Sequence, residues 1–439
     1  MTILAHGIRV LEDSCRGCVN CIKSCPTEAM RVIHGRAHII EELCIACGEC
    51  LRNCRHRALQ LAEDPWESIS NNKDTVALMV DPSLCTQFLW PPNPDFLIGP
   101  LRDIGLEPIS GVNSEAFDLA ALAVSRAIES ANSKDMPLIS TYCPAVVRLI
   151  QIRFPELLKH LVPVESPLEF GIDLWRIRTQ QKELVALAAS CPARIAMVHD
   201  PVGREVSSAE WAISVARLAK EIRSRGYAKA EIKAPAEGER WVQWGMLGGE
   251  TLHVASFMNR HLNAIAVSGV RNVFDLLQEV ELGLHAEVEF VEARICDTGC
   301  IGGIGNAESR FLSQRKIRSQ TVRWDRTARE IEMLEKLYRA RIWELQRKIE
   351  PINRLPLGEE ISQAMEKLKE MNAVYAELPH IDCGACGRPS CRAMAEDIVR
   401  GRGEVEDCIF KLRKRISGLA EELLLLSRRL VHTVVEDKH

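Results

Sequence analysis

Eight cysteines recur in one doubled spacing near the start of the chain. Cys15-x2-Cys18-x2-Cys21-x3-Cys25-Pro26 is followed by Cys44-x2-Cys47-x2-Cys50-x3-Cys54. Eight thiols in register with an internal repeat are a strong signal of metal ligation. A zinc module is the alternative, but zinc sites rarely show a doubled register of this kind. A disulfide framework fits poorly in a chain of this length with such spacings; they argue for metal ligation in a reducing, cytoplasmic setting.

The doubled run resembles that of the bacterial two-cluster ferredoxins, in which the fourth cysteine of each run ligates the other cluster. The resemblance implies one [4Fe-4S] cluster on Cys15, Cys18, Cys21 and Cys54, and a second on Cys44, Cys47, Cys50 and Cys25. Arg55 stands where a proline is expected after Cys54. That proline only shapes a turn, so ligation is unaffected, while a positive charge near a cluster raises its potential.

Further along, Cys296-x3-Cys300 precedes Gly302, Gly303 and Gly305. Two thiols at that spacing can ligate one metal centre across a turn, and glycines let the backbone approach it without a Cβ clash. Glu287 to Glu292 alternates as a short strand does, which puts the pair at a strand end. Cys143-Pro144-Ala145 and Cys191-Pro192-Ala193 share another grammar: an apolar segment, then Cys-Pro-Ala. Proline suits the first turn of a helix, so each thiolate faces a helix N-terminus, which favours an anionic cluster. Four inert buried cysteines are the plainer alternative.

These three motifs, in this order, resemble the catalytic domain of the [FeFe]-hydrogenases over residues 75–310, most closely its divergent, sensory branches. The resemblance implies that Cys143, Cys191, Cys296 and Cys300 hold one [4Fe-4S] cluster. It also implies that Cys300 bridges to a two-iron subsite bearing CO, cyanide and a dithiolate, the whole forming an H-cluster. Pro82 and Ser83 match the turn that contacts a cyanide there. Three departures stand out. Tyr142 replaces the cysteine that relays protons in fast enzymes, and a phenol titrating near ~10 is a poor relay. Arg194 replaces a cyanide-contacting lysine, keeping charge but changing geometry. Ala189 and Arg294 stand where methionines are usual. Arg194 and Tyr142 with Cys300 are thus the expected catalytic positions, and turnover is expected to be slow or to serve sensing.

The chain of 439 residues predicts two or more domains, its 46% hydrophobic content suffices for buried cores, and a net charge of −4 gives no field for nucleic acid. No apolar run reaches a membrane span, and residues 1–6 lack signal-peptide architecture. Residues 63–74 read as a polar linker. Thr75 to Val80 is expected as a buried strand, as are Pro137 to Thr141, Leu184 to Ala189, Ile195 to Val198 and Ala264 to Val267. Ser114 to Ala131, Pro144 to Phe154 and Glu210 to Arg223 are expected as helices. Cys85, outside every motif, reads as a small buried hydrophobe. Trp241 to Glu250 reads as a loop near the site, and Arg315-Lys316-x-Arg318 as a solvated face.

From residue 326, Ile331, Leu334, Tyr338, Ile342, Leu345 and Ile349 fall at helical spacing. Pro351 to Gly358 breaks the helix, and a second stripe follows through Ile361, Met365, Leu368 and Tyr375. Cys383-x2-Cys386-x4-Cys391, with Cys408 beyond, suits a fourth cluster and resembles the small cluster domain of electron-transport and corrinoid iron–sulfur proteins; cysteine-only zinc is the alternative. Ile409, Leu412, Ile416, Leu419, Leu423, Leu426 and Leu430 then recur at steps of three and four, a heptad seam that packs on the hairpin at 327–376 or, as the strict period favours, on a second subunit.

The expected architecture is a ferredoxin-like α+β domain (1–62), a two-lobed α/β domain with parallel sheets around a metal site (63–325), a helical hairpin (326–378) and a small cluster-binding domain with a long helix (379–439). The expected function is reversible H2 oxidation and proton reduction or H2 sensing, with three accessory [4Fe-4S] clusters relaying electrons. The alternative is an electron-transfer protein with only a [4Fe-4S] cluster at the hydrogenase-like site. Expected partners are a ferredoxin or a signalling kinase or phosphatase, the hydrogenase maturation proteins, and a second copy of the chain.

Overall fold

A computed structural model describes residues 7–72, 75–88, 91–227, 237–352, 357–358 and 360–431. Residues 1–6, Lys73 and Asp74 of the expected linker, and 353–356 of the expected helix break lie outside the described residues. The chain divides into two compact units: Met1–Arg9, Leu43–Arg52 and Leu59–Ile352 form one; Val10–Glu42, Asn53–Ala58 and Asn353–His439 form the other.

Two parallel sheets build the first unit. One has four strands in the order Leu106–Pro108, Val76–Met79, Val185–Ala189, Trp211–Ser214; the other has three, Ala264–Ser268, Phe290–Arg294, Leu138–Ile139. The strands that end near the cysteines are buried along their whole length, so they read as continuous apolar runs, as strands covered on both faces must. Each sheet has its own core. Around the first pack Phe117, Leu168, Phe170 and Leu218; around the second, Val146, Leu149, Leu277 and Val291. These are the two expected lobes.

Several expectations need correction. Ile195 to Val198 is not a strand but part of the helix Pro192–His199, buried on every side. A short apolar run carries no period that separates a buried helix from a strand, and Pro192 at the first turn decides it. The Glu210 to Arg223 helix is shorter: Trp211–Ser214 is an edge strand, and Ser214 then caps Val215–Ser224 through its hydroxyl. The 63–74 segment is anchored rather than free. Asp64 is buried and accepts from Ala212 N (2.7 Å), and Trp66–Ser70 is helical. Lys316 is buried, not solvated, and donates to Thr86 O (2.8 Å) and Glu308 (3.1 Å).

The helix starting at the Thr327/Glu330 capping box stops at Arg339, before Ile342, Leu345 and Ile349. Arg341 takes a left-handed φ of 57°, and the Trp343 indole donates to Tyr338 O while stacking on its ring. That helix packs on Asn113–Ser130 in the first unit, whereas Ile361–Glu377 packs on Cys391–Val399 in the second. No helix among the described residues is long and apolar enough to cross a membrane.

The second unit joins segments far apart in the sequence. The hairpin Met30–Ile33 and Arg36–Ile39 meets the Cys383–Cys391 loop: Val32 N donates to Gly387 O (2.8 Å), and a Cβ on Gly387 would lie 2.0 Å from Val32 O. Arg31 Nε binds Asp397 Oδ2 at 2.6 Å, with both side chains about 5% exposed.

Candidate functional site: a buried cysteine centre at converging strand ends

Each expected ligand of the hydrogenase-like site follows the C-terminal end of a parallel strand. Cys143 and Cys296 follow Leu138–Ile139 and Phe290–Arg294 in one sheet; Cys191 follows Val185–Ala189 in the other. Cys143 and Cys191 are the N-caps of the helices Pro144–Arg153 and Pro192–His199, as the Cys-Pro grammar predicts. The Cys300 loop is held on the Cys191 loop through its backbone. Gly305 N donates to Ser190 O (2.9 Å), and a Cβ on Gly303 would lie 2.2 Å from that oxygen. Gly299 at φ 94° makes the turn between the two thiols.

The four thiols lie close enough to feel one another's charge. Burial pushes Cys296 well above the usual thiol range, and Cys191, Cys143 and Cys300 add to this as like charges. Burial likewise pushes the Cys191 thiol up to about 12, against the pull of Arg194. Such thiols become thiolates by ligating iron, which replaces the proton. Four thiols from two lobes, two of them at the N-termini of helices, fit a [4Fe-4S] cluster. Among the described residues no three His, Cys, Asp or Glu converge on one ion. A cubane, in which each thiolate binds its own iron, is a different arrangement.

The flank of Cys300 is polar and closed. Asp81, fully buried at the end of Val76–Met79, accepts from Ser83 N (2.8 Å), Ser83 Oγ (2.7 Å) and Ser190 Oγ (3.2 Å), and pairs with Arg194 Nε at 3.0 Å. Arg194 Nη2 lies 3.8 Å from Cys300 Sγ. Tyr142 is sandwiched between Arg194 and Arg294, each guanidinium carbon 4.4 Å from its ring centre. Arg294 in turn pairs with Glu250 at 2.7 Å, and Glu250 accepts from Ser140 Oγ. Trp244, from the 3-10 turn Arg240–Gly245, meets Tyr142 edge-on at 5.0 Å. The expected loop Trp241 to Glu250 is this turn followed by the first residues of the helix Gly249–Ala255. Tyr142 Oη, Arg194 Nη1 and Arg294 Nε have no hydrogen-bond partner among the described residues. Asp81, Glu250 and Trp244 escaped the sequence reading as named members; only the strand-end Asp-Pro-Ser turn and the glycines around Trp244 marked their neighbourhoods.

The second ferredoxin-like run lies against this centre within the same unit. A Cβ on Gly48, between Cys47 and Cys50, would lie 3.0 Å from Ile304 and 3.3 Å from Pro192. Arg52 Nη2 donates to Gly302 O (2.8 Å), and Ile45 and Ala46 share the core of Val146 and Ala193. In the second unit, backbone N–H groups reach sulfur at matching places in the repeat: Ala29 to Cys25 (3.2 Å) and Ala58 to Cys54 (3.3 Å). Cys386, Cys391 and Cys408 share one small apolar core with Met371 and Met394; Cys383 is exposed. Cys85 is buried, as expected.

Family models match three stretches. Residues 7–55 match a 4Fe-4S dicluster domain, residues 378–410 a model for an Fe-S cluster, and residues 75–182 the C-terminal domain of the iron-only hydrogenase large subunit. The last takes in Asp81, Ser83 and Cys143 and ends before Cys191. An uncharacterized protein of Methanocaldococcus jannaschii is 37% identical over 57 residues, 13% of this chain and 25% of that protein, so the chain spans about a quarter of the length of this curated relative. An [FeFe]-hydrogenase from Chlamydomonas reinhardtii is 13% identical with a TM-score of 0.48, covering 65% of this chain and 97% of its own. An [FeFe]-hydrogenase structure on oxygen inactivation is 14% identical with a TM-score of 0.47, covering 64% and 95%.

Proposed function

We propose, from the premise that this chain is a hydrogenase-like family member with an N-terminal ferredoxin-like domain, that it is an iron–sulfur redox protein working through a buried [4Fe-4S] centre on Cys143, Cys191, Cys296 and Cys300. The observation that supports this is the seating of the Cys44–Cys50 run, three thiols of the doubled motif, on the loops of Cys191 and Cys300. When bound, each cluster takes up and gives back one electron. The protein's part is ligation, placement of helix N-termini at two thiolates, and exclusion of water by a closed flank. Accessory clusters on Cys15, Cys18, Cys21 and Cys54, and on Cys383, Cys386, Cys391 and Cys408, extend the relay toward a partner such as a ferredoxin or a redox-sensing signalling protein.

A second reading is the hydrogenase reaction itself, 2H⁺ + 2e⁻ ⇌ H2. The unpartnered donors Tyr142 Oη and Arg194 Nη1 beside Cys300 favour it, since a cyanide-bearing group accepts hydrogen bonds.

Iron, sulfide and EPR measurements on anaerobically purified protein test the common ground. Four cubanes give ~16 irons per chain, and Cys191→Ser loses ~4 of them together with one EPR signal. Wild-type protein whose iron count does not fall on Cys191→Ser, or zinc in place of iron, would sink the buried centre.

A further inference from the structure

Resting on the reading of a buried [4Fe-4S] centre, we propose that Cys300 is a plain terminal ligand of that cluster and that an arginine–tyrosine–arginine stack holds the ground on which the hydrogenase resemblance puts the two-iron subsite. Two donors there, Tyr142 Oη and Arg194 Nη1, have no partner among the described residues, but the residues around them do not fit that subsite. The Ser83 N–H and O–H, which correspond to the cyanide-contacting turn, both donate to Asp81 Oδ1. The cation at the lysine position, Arg194, is ion-paired to Asp81 Oδ2 with both side chains buried. Tyr142 and Arg294, larger than the cysteine and methionine they replace, close the stack beside Cys300.

The stack is braced from behind, so it does not swing aside cheaply. Displacing Arg194 leaves the Asp81 carboxylate buried without its cation, and displacing Arg294 does the same to Glu250. Tyr142 meets Phe117 at 6.1 Å and Trp244 at 5.0 Å. Trp244 is itself held by a hydrogen bond from Nε1 to His253 Nδ1 (2.7 Å), and His253 Nε2 bonds Asp118 (2.5 Å).

The arrangement suits electron transfer. A cluster held by Cys143, Cys191, Cys296 and Cys300 would supply one-electron chemistry, which asks no bond or proton to move in the residues around it. The added negative charge is stabilised by two guanidiniums near Cys300, which raises the reduction potential. Arg194 and Arg294 are therefore positioning and tuning residues rather than groups that meet a substrate.

The test uses the full chain with its clusters reconstituted. It is incubated with a synthetic diiron dithiolate complex carrying CO and cyanide, freed of excess reagent, and examined by infrared and EPR spectroscopy. The expected result is no retained CO or cyanide bands with every cluster signal intact. Bands that stay with the wild type and vanish in Cys300→Ser overturn the proposal. A redox titration supplies the second readout. Arg294→Met lowers the midpoint potential of the buried centre, and Arg294→Lys returns most of the shift. An unchanged potential in Arg294→Met overturns the tuning role. If instead the wild type lacks the cluster on Cys191, the underlying reading has failed, and the iron count records that separately.

Discussion

Glu165 shows how one residue outside the metal centre sets a pH dependence. It is buried, Oε2 has no partner, and burial pushes its carboxyl up to about 7, with Arg204 pulling down and Glu169 and Asp173 pushing up. An acid with a raised native pKa binds more protons folded than unfolded between its ordinary value and about 7. Stability therefore falls as pH rises through that window. At ~1.36 kcal/mol per unit, the loss is at most roughly 3 kcal/mol. Glu165→Gln is expected to flatten the curve between pH 5 and pH 8 and to raise the thermal midpoint at pH 8 more than at pH 5. Midpoints that shift equally at both values refute it. At this scale the sequence was most legible where chemistry restricts residue type. The Cys-Pro-Ala pairs announced both the ligand and the helix it caps, and the glycines after Cys300 announced backbone contact. Asp81, Glu250 and Glu165 carry no such mark, because a carboxylate becomes informative only once its neighbours are known.

Elements were legible when their length or a cap set them apart. Ser114 to Ala131 carries a helical stripe across five turns and was placed to within one residue, at Asn113–Ser130. Ile195 to Val198 was misread because a helix buried on all sides loses its polar face. The joining of the N-terminal hairpin to the C-terminal cluster loop was invisible, since a contact between residues so far apart in sequence leaves no local period. Its buried Arg31–Asp397 pair gives a test. Arg31→Met is expected to destabilise the second unit by about 3 kcal/mol, the low end for breaking a buried pair, because Arg388 stays 3.4 Å from Asp397. The double variant Arg31→Met, Asp397→Leu is expected to recover much of the loss. Denaturant midpoints followed by the visible absorbance of the clusters read this. A double variant as unstable as the sum of the two singles would show that the pair is not coupled.

At the scale of the whole molecule the open question is what covers the last helix, Ile409–Val431. Its seam is bare: Ile409, Leu412, Ile416, Leu419, Leu423 and Leu426 are each between 42% and 66% exposed. The nearby helix Ile361–Glu377 meets it near the base, through Lys411 and Glu377, and leaves Ile361, Met365 and Leu368 exposed as well. A helix of this length with an apolar stripe and no partner is marginal in water. The 3.5-residue period selects a left-handed two-helix seam, in which Ile and Leu knobs enter holes of a facing helix. A second copy of the chain is expected to supply that helix by a two-fold axis. Read antiparallel, Arg415 of one helix comes near Glu422 of the other twice over, whereas the parallel arrangement sets Arg415 against Ala420. The expected state is therefore a dimer, and Leu419→Asp is expected to convert it to monomer while leaving the iron content unchanged. Analytical ultracentrifugation at micromolar concentration decides it. A wild-type monomer, or a dimer indifferent to Leu419→Asp, would move the partner of this seam elsewhere. Because Cys408 stands one residue before the helix, a dimer would also tie the C-terminal cluster to the interface, so loss of that cluster in Cys408→Ser is expected to weaken self-association measured the same way.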